Sequence, residues 1–181
     1  QKMENRNHKD SLFIDLFCKD KDGKQNFISL YNALHNTNLD LATTTVQEVN
    51  IENVLYMALS NDIAMLVDNR LVVLVEHQST INENMPLRLL EYVSRIYEQL
   101  VPSEDRYEKK MIKIPYPEFF VFYNGTEDYP VETELRLSDA FIFPDEKYNV
   151  KSSDLTIEIK VKIVNINSDK QSPILKQCKK L

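Results

Sequence analysis

Two apolar runs, Asp62–Val67 and Leu71–Ser79, flank the turn residues Asp68-Asn69-Arg70 and constrain the chain more than any other feature. Runs this short and rich in β-branched residues read as strands, and the tripeptide between them reads as a hairpin turn. Within the second run Val72 and Leu74 share one face and Val73 and Val75 the other, because strand side chains alternate. Both faces therefore need cover, as in the middle of an α/β sandwich. The run nevertheless ends in Glu76-His77-Gln78, a carboxylate, an imidazole and an amide where a dry strand should stay apolar.

Parity turns this hairpin into a testable geometry. Glu76 and Gln78 point together, roughly 6–7 Å apart, and His77 points away. A three-residue loop over 68–70, with Asn69 in the left-handed region, pairs Val67 with Leu71 and sets Asp62 directly opposite Glu76, about 5 Å away between backbones. A two-residue loop puts the two carboxylates on opposite faces. The three-residue register is the expectation.

Apolar spacings of three and four predict short helices over 10–17 and 26–35, joined by a charged turn at 19–24. The segment 43–49 reads as a first strand, while 53–59 fits helix or strand. Asn84-Met85-Pro86 is a helix-start signal, followed by an inward stripe of Leu89, Val93, Ile96 and Leu100 and a solvated face of Arg88, Glu91, Arg95 and Glu98. Further strands are expected at 117–123, closed by the Asn124-Gly125 turn, and at 155–163, solvated on one side. This order predicts one α/β domain across the 181 residues, a mixed β-sheet flanked by helices. Ser172-Pro173 reads as the start of a helix that the remaining residues cannot complete, so a natural parent chain is expected to continue past Leu181.

Composition removes several classes of function. Only Gly23 and Gly125 are present, too few for a phosphate-cradling loop or a dinucleotide fingerprint. Cys18 and Cys178 lie in no metal-ligand spacing, and His8, His35 and His77 do not pair at helical spacing. A net charge of −6 argues against general polyanion binding, although Arg106, Lys109, Lys110 and Lys113 form a local basic cluster that is the best candidate for DNA backbone contacts. No apolar stretch is long enough for a membrane span or a signal peptide, so a cytoplasmic protein with no membrane partner is expected.

Asp62 and Glu76 on adjacent strands suit a hard divalent cation, which takes one or two carboxylates plus waters and activates water for phosphodiester cleavage. The backbone carbonyl of His77 would add an oxygen, and Gln78 would orient the water or a phosphate oxygen. The plain alternative is a solvated strand-end Glu and an Asp capping a turn. His77 itself fits a packing role better than general base catalysis. Arg88, early in the following helix, would contact phosphate or pair with Glu91 or Glu98. A rival acidic pair is Asp145, after Pro144, with Glu158 in Glu158-Ile159-Lys160, whose strand reads as a solvated face.

Several blocks carry a more specific signal: Asn61-Asp62-Ile63, Leu74-Val75-Glu76-His77-Gln78-Ser79-Thr80, Asn84-Met85-Pro86-Leu87-Arg88-Leu89-Leu90-Glu91-Tyr92, Phe122-Tyr123-Asn124-Gly125, Leu137-Ser138-Asp139-Ala140-Phe141 and Asn165-Ile166-Asn167. Together they resemble the Rpn family of recombination-promoting nucleases and transposases, across roughly residues 8–180. That resemblance implies a restriction-endonuclease-like fold of the PD-(D/E)XK superfamily and a Mg²⁺-dependent DNA endonuclease of mobile elements, with Mn²⁺ able to substitute. It implies that Asp62 and Glu76 are metal ligands and that Gln78 stands where the superfamily carries lysine. Gln offers a neutral donor and acceptor in place of a full positive charge. Asp10 resembles an acidic residue near the family's first helix, and equally fits an N-cap. Cutting both strands favours a homodimer. Two other readings stay open: a catalytically silent DNA-binding or assembly module, and a nuclease directed at RNA.

Overall fold

The structure is a computed structural model that describes residues 15–49, 62–77 and 81–167, apart from the His77 side chain. Among the described residues six strands form one mixed sheet: β1 (Val46–Glu48), β2 (Asp62–Val67), β3 (Arg70–His77), β4 (Tyr116–Tyr123), β5 (Glu132–Arg136) and β6 (Lys160–Asn165). Their spatial order is β1-β2-β3-β4-β6-β5. β3, β4 and β6 run parallel, while β1–β2, β2–β3 and β5–β6 are antiparallel. Helices α1 (Gly23–His35) and α2 (Met85–Leu100) cover the two faces, giving an α/β fold with a restriction-endonuclease-like arrangement.

The sandwich follows from the apolar strands. Val72 and Leu74 pack with Ile63, Met65 and Val67 against Phe27, Ile28, Leu30 and Tyr31 of α1. Val73 and Val75 pack with Ala64, Phe119 and Val121 against Leu89, Tyr92, Val93 and Ile96 of α2. Parallel strands cannot be joined by a tight turn, and α2 is the crossover that carries the chain from β3 back to the start of β4. Pro86 sits in its first turn, where a missing N–H costs nothing, and extended Val101 followed by Pro102 ends it. At the other helix a π-helical turn, Asp15–Lys19, leads into α1 so closely that a Cβ on Gly23 would meet the Phe17 carbonyl. Asn36 closes α1 in the left-handed region, φ 53°.

Three expectations need correction. The hairpin turn holds two residues, Asp68 and Asn69: Val67 pairs with Arg70, and Asp62 therefore lies opposite Val75 instead of Glu76. Asp68 takes the left-handed conformation, φ 51°, and is held there by Thr45 beside β1, whose amide donates to Asp68 Oδ1 and whose carbonyl accepts from the Asp68 amide. The strand expected over 155–163 begins only at Lys160, where pairing with β5 starts, β4 joining from Lys162, and Leu155 and Ile157 are exposed. β5, with its charged sequence, is an additional edge strand. The expected helix over 10–17 lies partly, and the segment 53–59 and the end after 167 wholly, outside the described residues.

Candidate functional site

The parallel strands β3, β4 and β6 end on the same side of the sheet, and antiparallel β2 begins there. Asp62, Glu76, Asn124 and Asn165 therefore share one sheet end, where loops following parallel strands commonly bind ligands. The two-residue turn sets the two carboxylates on different faces. Asp62 shares the parity of Ala64 and faces α2, whereas Glu76 shares that of Leu74 and faces the α1 side. A single cation could take both only over the strand ends.

Asp62 carries the unusual chemistry. Both carboxylate oxygens are shielded from solvent and have no hydrogen-bond partner among the described residues. Burial pushes its pKa from an ordinary 3.8 up to about 8, with the Arg88 guanidinium pulling the other way. Tyr92, one turn beyond Arg88, has its hydroxyl pushed up as well, by burial first and by the Asp62 charge second. Arg88 is half-buried, and Glu98, one of the two partners expected for it, pairs instead with Arg95 at 3.1 Å. Arg88 acts instead as a positive charge on Asp62, with its nitrogen 3.8 Å from Met85 Sδ.

Glu76 is 6% exposed and accepts a hydrogen bond from Asn124 Nδ2 at 3.3 Å. Asn165, fully buried in the neighbouring strand, donates to the Tyr129 carbonyl and accepts from the Asn167 amide. The His77 backbone completes the pairing of β3 with β4 opposite Tyr123. The His77 side chain, Gln78 and Asp10 lie outside the described residues. Among the described residues no group of three or more His, Cys, Asp or Glu is placed to hold a metal.

The basic cluster is not brought to this end. Lys109, Lys110 and Lys113 precede β4, at the opposite end of the sheet, and Arg106 is engaged with the Glu98 and Val101 carbonyls at the end of α2. The eight residues of β3 separate the two ends by about 23 Å. The rival pattern is partly occupied. Glu158 Oε1 accepts from the Ser138 and Ile159 amides, while its Oε2 is shielded from solvent with no hydrogen-bond partner among the described residues. Burial raises its carboxyl, but the hydrogen bonds to Ser138 and Ile159 outweigh it and hold the group below the ordinary range. Asp145 is exposed beside Lys147. Asn124 was legible as a turn residue and as part of the Phe122-Tyr123-Asn124-Gly125 block, but its contact with Glu76 depends on parallel pairing that no local pattern announces.

With this geometry established, the chain matches the family model described as "Putative transposase, YhgA-like" over residues 7–175. The chain belongs to the YhgA-like transposase family. This agrees with the Rpn resemblance carried by the Glu-His-Gln-Ser and Met-Pro-x-Arg blocks, and it gives the protein a general role of the transposase or nuclease type. No curated protein and no solved structure matches the chain. Among the described residues no helix is long and apolar enough to cross a membrane.

Proposed function

We propose that this YhgA-like protein is a metal-dependent deoxyribonuclease that hydrolyses phosphodiester bonds at the sheet end bearing Asp62 and Glu76. The observation that carries the reading is the Asp62 carboxylate, shielded from solvent with both oxygens unpartnered among the described residues. A buried carboxylate without hydrogen bonds is costly as an anion, and a bound cation removes that cost. Oxygen donors of this kind fit hard Mg²⁺ or Mn²⁺. When bound, such an ion polarises a phosphate oxygen and lowers the pKa of an attacking water.

The chain's own residues then have separable roles. Asp62 would give up its proton and hold the ion from the α2 side, and Glu76 would reach it from the other side over the strand ends, joined by the His77 carbonyl. Arg88, in the first turn of α2, would bind a phosphate oxygen and keep the substrate beside Asp62. Gln78 would orient the water through neutral hydrogen bonds. If Lys109, Lys110 and Lys113 also bind backbone phosphates, the separation of roughly 23 Å between the ends corresponds to about seven base-pair steps. Cutting both strands would call for a second copy of the chain.

One observation favours a second reading. The hairpin register holds the two carboxylates on opposite faces, as in a catalytically silent DNA-binding or assembly module that keeps the fold. Incubation of supercoiled plasmid with wild type, Asp62→Ala and Glu76→Ala, each with Mg²⁺, Mn²⁺ or chelator, separates the two. Cleavage that needs the ion and both carboxylates supports the nuclease. DNA binding without cleavage by folded wild type supports the module, and preferential cleavage of RNA substrates would redirect the assignment to RNA.

A further inference from the structure

We infer that Asn124 is a positioning residue of this site, gripping the Glu76 carboxylate with the nitrogen of its amide and presenting the oxygen to a hydrogen-bond donor bound at the strand end. The inference rests on the nuclease reading above. Glu76 lies in register with Phe122 of β4, and Asn124, two residues further along, reaches the same face. Its Nδ2 donates to Glu76 Oε1 at 3.3 Å. Donation to a carboxylate settles which end of the amide is nitrogen, so the other end is an acceptor. That Oδ1 is shielded from solvent and has no hydrogen-bond partner among the described residues.

The backbone around Asn124 is braced on both sides. Asn167 Nδ2, just past β6, donates to the Gly125 carbonyl at 2.9 Å. The Gly125 α-carbon lies against the Tyr123 ring so closely that a Cβ would come within 2.6 Å of ring carbons, which makes glycine necessary there. The Tyr123 hydroxyl in turn accepts from the Glu127 amide and donates to its carbonyl, at 3.0 and 3.2 Å. The turn after β4 is thus tied to β6 and to its own continuation, and the amide it carries is fixed in direction. A buried acceptor held beside a carboxylate suits one class of ligand group: a water or hydroxyl that donates a hydrogen bond, such as water on a carboxylate-bound cation. Partners that orient metal-binding side chains typically change metal affinity about ten- to a hundredfold when removed.

The test is titration calorimetry of the full chain with Mn²⁺, alongside urea unfolding, for wild type, Asn124→Ala, Asn124→Leu and Asn124→Gln. Leu keeps the volume without the amide, and Gln returns an amide. The assignment predicts that Ala and Leu each weaken Mn²⁺ binding about tenfold while unfolding stays cooperative, and that Gln recovers part of the loss. Should the Leu variant fail to fold, the smaller Ala decides. Binding within about threefold of wild type in the folded amide-free variant overturns the role of Asn124 and leaves the nuclease reading intact. Wild type that takes up no Mn²⁺ overturns both.

Discussion

Replacing Asp62 with Asn should change how stability depends on pH, and the size of the change follows from the burial of its carboxyl. The folded pKa stands at about 8 against an ordinary 3.8. Between those values the unfolded chain has released the Asp62 proton while the folded chain keeps it, so rising pH favours unfolding. The stabilising contribution is fully present below pH 3.8, declines through the window and is lost above pH 8. Its slope is about 1.4 kcal/mol per pH unit, so Asp62 alone removes about 2.7 kcal/mol between pH 5 and pH 7. For a chain of this size that is about 5–10 °C in Tm. An amide has no proton to lose, so the Asp62→Asn variant lacks this slope, and any constant cost of burying the amide drops out when slopes are compared. Other titrating groups, His35 included, affect both proteins alike. The assay is urea unfolding in chelator at pH 5, 6 and 7 for wild type and Asp62→Asn. The stability difference should move toward the variant by about 2.7 kcal/mol across that range. Parallel pH profiles would refute a buried, proton-holding Asp62.

Three more outcomes follow from the same structure. Cation binding at Asp62 should release a proton below pH 8, so Mn²⁺ affinity should rise up to about tenfold per pH unit and calorimetric heats should vary with buffer ionisation enthalpy. The ion pair of His35 Nε2 with Glu118 Oε2 at 2.9 Å holds the His35 pKa up, through hydrogen bonding to Glu118 against the opposing effect of burial. Its stabilisation should be present at acid pH and lost as pH rises through the raised pKa. His35→Gln should therefore cost up to about 1 kcal/mol at pH 5.5 and less at pH 9, read by urea midpoints. Leu74→Ala opens space in the fully buried layer beneath α1 and should cost about 2–5 kcal/mol in the same assay.

How much of this was legible in the sequence depends on how local the deciding interaction is. The apolar runs of β2, β3 and β4 announced themselves, as did α2, whose stripe and Pro86 start are properties of consecutive residues. The hairpin register was not legible, because the backbone of Asp68 is fixed by Thr45, 23 residues earlier in the chain. That one turn decided the faces of Asp62 and Glu76. β5 escaped notice because Glu132, Glu134 and Arg136 give an edge strand a solvated composition. Asp62 and Glu76 were singled out as a pair, but the isolation of Asp62 depends on α2 bringing Arg88 and Tyr92 over it. The basic residues 109–113 were legible as a cluster, yet only the parallel pairing of β3 with β4 places them at the far end of the sheet.

The most direct test is the anomalous difference map of a crystal soaked with Mn²⁺ at pH 8.5, where Asp62 is mostly ionised. One peak is expected over the ends of β2 and β3, within about 2–2.5 Å of oxygens of both Asp62 and Glu76. A peak that contacts neither carboxylate, or one seated at Asp145 and Glu158, would contradict it.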